Sequence, residues 1–187
     1  MTTTNDFRNG MTVVMNGNLM IVVEFLHVKP GKGGAFVRSK LKNVRTGAVV
    51  EKTWRAGEKV EEIRLDRKAL QFLYREGNLL HVMDQETFEQ MALDVALLGE
   101  SAQFLSENEI VTVLLRDGSA VTAEVPNFVE LEVTETDPGV RGDTAQGGAK
   151  PAKLETGAVV NVPLFIEVGD RLKVDTRNRS YVERVKG

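Results

Sequence analysis

Short runs of apolar and β-branched residues, cut apart by tight-turn residues, set the limits on what this chain can become. Met11–Met15 is apolar, and Asn16-Gly17 behind it is a two-residue hairpin signal, since both positions accept the positive φ such a turn needs. Leu19–Val28 follows as a long second strand. Lys29-Pro30-Gly31-Lys32-Gly33-Gly34 separates it from a third strand near Phe36–Val44. Arg45-Thr46-Gly47 leads into a fourth, Ala48–Trp54, and Ala56-Gly57-Glu58 into a fifth, Val60–Leu65. Strands this short, joined by loops this short, predict a small SH3-like barrel over residues 1–63.

The same style continues. Leu70–Tyr74 and Leu79–Met83 flank Glu76-Gly77-Asn78, and Ile110–Leu115 and Ala120–Val125 flank Asp117-Gly118. Thr87–Leu98 is the one stretch that reads as a short helix. Pro126 breaks the chain and marks a boundary. Beyond it, Val129, Leu131 and Val133 alternate with Glu130 and Glu132, the pattern of a half-exposed strand. A glycine-rich loop is expected over Asp137–Lys150, then strands at Ala158–Val162, Arg171–Val174 and Tyr181–Val185. Residues 64–126 and 127–187 each predict a five-stranded OB-type barrel. The expected fold is therefore all-β, three small barrels in series. A module of about 60 residues buries only about 60% of its unfolded surface, so such barrels need mutual support or great regularity.

Composition removes several function classes. The 187 residues include no cysteine, which excludes disulfides, thiolate zinc sites and cysteine nucleophiles. The start, MTTTNDFRNG, lacks the basic and apolar regions of a signal peptide. No apolar run approaches the roughly 20 residues of a membrane helix. A cytoplasmic location with no membrane partner is expected. The net charge of −3 hides a gradient: +4 over residues 1–63, −6 over 64–126 and −1 over 127–187. Basic residues concentrate in 24–45 (Lys29, Lys32, Arg38, Lys40, Lys42, Arg45) and in 171–187 (Arg171, Lys173, Arg177, Arg179, Arg184, Lys186). Two basic stretches around an acidic middle suggest phosphate contacts at two separated places; a solvated face is the plainer alternative for either.

Pro30-Gly31-Lys32-Gly33-Gly34 carries the most information. Pro30 fixes one backbone angle, and three glycines leave Lys32 without neighbouring side chains or a carboxylate. A slim cationic tip can enter a narrow phosphate-lined cavity; an ordinary solvated turn would look the same locally. The loop is not a Walker A motif, because Gly33 rather than Ser or Thr follows the lysine and a strand comes next. Nor is it a dinucleotide fingerprint, which would need a third glycine where Phe36 stands. Enzyme chemistry finds little support. His27 and His81 are the only neutral-pH bases, and Glu61, Glu62 and Asp66 read as surface charges. No metal site and no cofactor are expected. In the second loop, Gly139-Val140-Arg141-Gly142-Asp143-Thr144, glycine-flanked amides with Asp143 and Thr144 could hydrogen-bond a nucleotide edge or sugar. A plain connector is the alternative.

Three stretches, HVKPGKGGAFVRSKLKN (His27–Asn43), PGVRGDT (Pro138–Thr144) and KPAKLETGAVVNVPLFIEVGDRLKVDT (Lys150–Thr176), resemble bacterial elongation factor P in order and spacing. The resemblance runs through essentially the whole chain. It implies an SH3-like barrel of KOW type and two OB folds in an L-shaped arrangement like a transfer RNA. It implies a translation elongation factor, not an enzyme, that binds the ribosome between the P and E sites and promotes peptide bond formation at stalled polyproline sequences. Under it, Lys32 points to the peptidyl-transferase centre and is a site of post-translational modification, and Pro30, Gly31, Gly33 and Gly34 shape its loop. Lys29, Arg38, Lys40 and Lys42 contact tRNA and rRNA. Gly142, Asp143 and Thr144 contact the exit-site codon of mRNA, and Tyr181 and Arg184 face the small subunit. The implied partners are the ribosome, P-site tRNA, mRNA and a Lys32-modifying enzyme, with the factor itself a monomer. A different class, a single-strand-binding OB module without a ribosomal role, would show aromatic stacking platforms in a basic groove. Aromatic residues make up only 6% of this chain.

Overall fold

The computed structural model describes residues 1–139 and 148–186. It is nearly all β, in three antiparallel sheets, as expected. The first sheet holds β1 (Thr2–Thr3), β2 (Thr12–Met15), β3 (Asn18–Val28), β4 (Phe36–Asn43), β5 (Val49–Arg55) and β6 (Lys59–Ile63), ordered β1-β6-β2-β3-β4-β5. The second holds β7 (Asp66–Glu76), β8 (Leu79–Met83), β9 (Gln90–Asp94), β10 (Ile110–Arg116) and β11 (Ser119–Glu124), ordered β11-β10-β7-β8-β9. The third holds β12 (Phe128–Thr136), β13 (Ala149–Leu154), β14 (Val159–Pro163), β15 (Arg171–Asp175) and β16 (Ser180–Val185), ordered β14-β13-β12-β15-β16.

Each sheet is organised around one long strand with a register break: at Val22/Glu24 in β3, Phe72/Tyr74 in β7 and Val133/Glu135 in β12. A bulge adds local twist and bends the strand, which lets a single strand serve two neighbours in different directions. In β12, residues Phe128–Glu132 pair with β15, and Val133–Thr136 pair with β13. The side-chain alternation decides which face goes inside. β4 buries Val37, Ser39 and Leu41 and leaves Arg38, Lys40 and Lys42 in water.

The chain divides into two compact units, residues 1–67 with 114–122 and residues 68–113 with 123–187. In the first, Phe7, Met11, Val13, Met20, Val22, Val37, Leu41 and Trp54 form the core. The indole of Trp54 meets Phe7 edge-on at 5.7 Å, and its N–H donates to Ser39 Oγ at 2.8 Å, so the buried ring carries no unmet donor. In the second unit, Phe104, fully buried, packs among Val129, Leu131, Leu154, Val160 and Leu172 of the third sheet. Phe104 ends a 3₁₀ helix, Gly99–Phe104, that follows β9.

Two expectations fail. Thr87–Leu98 is not helical: Gln90–Asp94 is strand β9, paired with β8 from Met83↔Gln90 to Leu79↔Asp94. Only Val95–Leu97 turns, as a 3₁₀ helix capped by the Asp94 carboxylate on Ala96 N–H at 2.9 Å. Strand pairing outweighs the helix-like apolar spacing, and Phe88, at φ 61°, breaks any helix through it. The second miss is β13: the loop expected over Asp137–Lys150 ends inside it, and no strand is expected between that loop and Ala158, yet Ala149–Leu154 pairs with both its neighbours around Pro151. Pairing with β12 stops at Thr136↔Ala152, and the Pro151 carbonyl accepts from Thr136 Oγ1 at 3.0 Å. N and O of one strand residue face the same side, so the missing N–H of Pro151 points where β12 has already ended.

Candidate functional site

β3 and β4 pair without interruption from Glu24↔Lys40 to Val28↔Phe36, and Lys29–Ala35 closes the ribbon. The sequence favours this shape because β-branched residues stiffen β3 while Pro30 and the glycines end the pairing. All seven closing residues are exposed. Gly33 has φ 109°, a left-handed angle that side chains resist, so the turn after Lys32 is one that glycine adopts without strain. The Lys32 ammonium makes no hydrogen bond and no ion pair among the described residues. The finger does not fold back on its barrel.

Arg38, Lys40 and Lys42 share the outward face of β4, but they are not equivalent. Lys40 lies between Glu24 on β3 and Glu51 on β5, and donates to Glu24 at 2.8 Å. That hydrogen bond, with the charge of Glu24 and then of Glu51, raises its pKa above 10.5. Arg38 lies between Leu26 and Thr53, and Lys42 between Ile21 and Val49, with no carboxylate opposite either. The strip therefore carries two free cations and one committed one. His27 is exposed, edge-on to Phe25 at 5.5 Å; His81 stacks on Tyr74 at 4.4 Å and meets Glu76 at 3.0 Å. Among the described residues, no group of three His, Cys, Asp or Glu could hold a metal ion, and no helix is long and apolar enough to cross a membrane.

Gly142, Asp143 and Thr144 lie outside the described residues. The feet of that segment are described. Lys150, nearly buried, donates its ammonium to the Asp137 carbonyl at 2.5 Å. The Gly139 Cα sits so close to the Leu164 carbonyl that no Cβ could fit there. The Lys150 contact is not legible from the residues alone, because a basic residue beside a glycine-rich loop reads as exposed. Tyr181 is half-buried against the third-sheet core, and Arg184 is exposed, 3.7 Å from Asp170 and over the Phe165 ring at 5.5 Å.

Three family models match the chain in sequence: the elongation factor P (EF-P) KOW-like domain over residues 3–60, the EF-P OB domain over residues 65–123 and the elongation factor P C-terminal domain over residues 129–184. The chain is 55% identical over 185 residues to Elongation factor P of Pelotomaculum thermopropionicum, covering 99% of this chain and 100% of that protein. It is 56% identical over 187 residues to Elongation factor P of Natranaerobius thermophilus, covering 100% of both. Among solved structures, a translation initiation factor eif-5a family protein from Naegleria fowleri superposes at TM-score 0.53 with 17% identity, over 67% of this chain and 94% of that one, a likeness of fold. Matches that run end to end at this identity leave one conclusion: the chain belongs to the elongation factor P family of translation elongation factors.

Proposed function

We propose that this protein works in the cytoplasm, as a monomer, on the ribosome between the P and E sites, and promotes peptide bond formation where consecutive prolines stall synthesis. The observation that carries the reading is the Lys32 tip: exposed, glycine-flanked and unpaired among the described residues, at the end of a paired β ribbon. A single ammonium on so thin a support can reach into a crowded ribonucleotide cavity and hydrogen-bond phosphates and 2′-hydroxyls. Lys29, Arg38 and Lys42 follow the tRNA backbone on the way in, and Lys40 contributes less because Glu24 already holds it.

The factor supplies no acid, base or nucleophile in this mechanism. It holds the 3′ end of the P-site tRNA so that a rigid prolyl nucleophile meets an aligned acceptor, an orientation effect. Lys32 is also the position assigned to post-translational modification by a dedicated enzyme, since its amine is open to a second protein. Gly142, Asp143 and Thr144 are assigned to the exit-site codon on their motif alone. Tyr181 and Arg184 are assigned to the small subunit. Residues 1–63, 64–126 and 127–187 are proposed as the three functional modules.

Reconstituted translation of a Pro-Pro-containing message tests the reading. Lys32→Ala is expected to slow Pro-Pro bond formation while its thermal melt matches the parent. Equal rates for the two proteins would remove the tip from the mechanism. Intact-mass measurement of the native protein, with mapping of the Lys32 peptide, tests the modification.

A further inference from the structure

Phe88 is held in an unusual way. It lies in the turn between β8 and β9, with its backbone at φ 61° and 69% of the residue exposed. A left-handed angle is a genuine outlier for a bulky aromatic residue, and it persists only where the surroundings enforce it. The surroundings here are explicit. Asp84 accepts from the backbone N–H of Glu86 at 2.9 Å and of Thr87 at 3.2 Å, Phe88 N–H donates to the Asp84 carbonyl at 2.8 Å, and Asp84 N–H donates to the Glu89 carbonyl at 2.9 Å. The turn closes around a backbone strain and sends an apolar ring into water. Neither feature helps the fold.

Three phenylalanines are exposed among the described residues, and the other two differ in their neighbours. Phe128 has Lys173 and Arg177 against its ring at 5.2 and 5.3 Å, and Phe165 has Arg184 at 5.5 Å. Phe88 has no cation on its ring among the described residues. Its turn carries Asp84, Glu86 and Glu89, within a segment, residues 64–126, of net charge −6. Lys68, the one cation paired with the turn among the described residues, faces Asp84 at 3.8 Å. A base-stacking residue needs its ring beside cations that take up phosphate; the turn that carries this one supplies carboxylates instead.

We propose that Phe88 is the anchor of a protein-docking site, inserting into an apolar pocket on a basic protein surface, with Glu86 and Glu89 as the charged rim. An exposed aromatic in a polar surround is the composition of a binding hot spot, and rim charges steer the encounter. The inference rests on the ribosomal reading above for where such a basic protein is met.

The test uses the full chain and purified ribosomes. Phe88→Gly keeps the left-handed backbone without the ring. It is expected to melt within about 4 °C of the parent and to sediment with ribosomes about thirtyfold more weakly, the loss of one strong hot spot. With p-benzoylphenylalanine in place of Phe88, irradiation is expected to give a crosslink that protease removes and ribonuclease leaves. A crosslink to RNA overturns the proposal in favour of base stacking. Normal sedimentation of the Phe88→Gly variant, or a large drop in its melting temperature, also overturns it, the latter by making Phe88 structural. If the unsubstituted chain fails to sediment with ribosomes, the ribosomal reading falls and this inference with it; if it sediments but residue 88 crosslinks no protein, only the inference falls.

Discussion

Residues 24–45 and residues 171–187 each hold six basic side chains. In the first stretch Lys40 alone has a carboxylate partner, Glu24 at 2.8 Å; the side chains of Lys29, Lys32, Arg38, Lys42 and Arg45 have none among the described residues. In the second stretch nearly every cation is taken: Arg171 by Glu130 at 3.7 Å, Lys173 by Glu183 at 3.4 Å, Arg177 by Asp175 at 2.8 Å, Arg179 by Glu100 at 2.5 Å and Arg184 by Asp170 at 3.7 Å. Two stretches that look alike as strings of charge are thus opposites in space. The finger presents cations that nothing within the described chain neutralises. In the C-terminal stretch five of the six cations already face a carboxylate, across strands for Arg171 and Lys173, locally for Arg177, and on the 3₁₀ helix Gly99–Phe104 for Arg179. Only an unpaired cation is available to a phosphate, and whether it is unpaired depends on which carboxylates the fold brings beside it.

The contrast can be broken at several points. The largest effect is expected at the tip, where Lys32→Ala should lower the Pro-Pro rate by roughly 10–100-fold, the size of a lost positioning contact, with no change in melting temperature. An Arg171→Ala variant that lost as much would erase the distinction between the two regions. Next comes Gly33→Ala. A side chain at φ 109° is strained by about 1–2 kcal/mol, so the loop re-routes and Lys32 is displaced. A rate loss of about tenfold is expected, with circular dichroism showing an intact barrel.

Smaller effects sharpen the electrostatics. In a salt titration of binding to single-stranded RNA, Arg38→Ala and Lys42→Ala should each reduce the slope of log affinity against log salt by somewhat under one. Lys40→Ala and Arg177→Ala should leave it nearly unchanged, since both cations already have partners. Glu24→Gln should steepen the slope by releasing Lys40. The smallest effect is acid sensitivity of the C-terminal sheet. The Arg177 side chain, followed by backbone N–H groups, holds the Asp175 pKa below 3.8. A depressed folded value means the stabilisation is complete above the unfolded value of about 3.8 and fades as pH falls through the folded one. Melting temperatures measured from pH 5 downward should therefore drop less steeply for Asp175→Asn than for the parent; parallel curves would show that the pair contributes nothing.

The features legible from the residues alone are local. Hairpins at Asn16-Gly17 and Asp117-Gly118 both have the two positive φ angles their residues announce, because glycine and short polar side chains are nearly the only ones that tolerate them. The finger and its lysine were legible for the same reason: proline and glycine act on their own backbone, whatever surrounds them. The family resemblance added the order of the domains. The remaining features depend on which parts of the chain meet in the fold. Whether Gln90–Asp94 is helix or strand depended on β8 lying beside it, and whether Pro151 fits a strand depended on where β12 stops. Whether a lysine is free depended on a carboxylate sixteen residues away for Lys40, and Arg179 found its partner in Glu100, seventy-nine residues earlier. Backbone angles are set within one or two residues, whereas charge and burial are sums over neighbours that the chain meets only once it has folded.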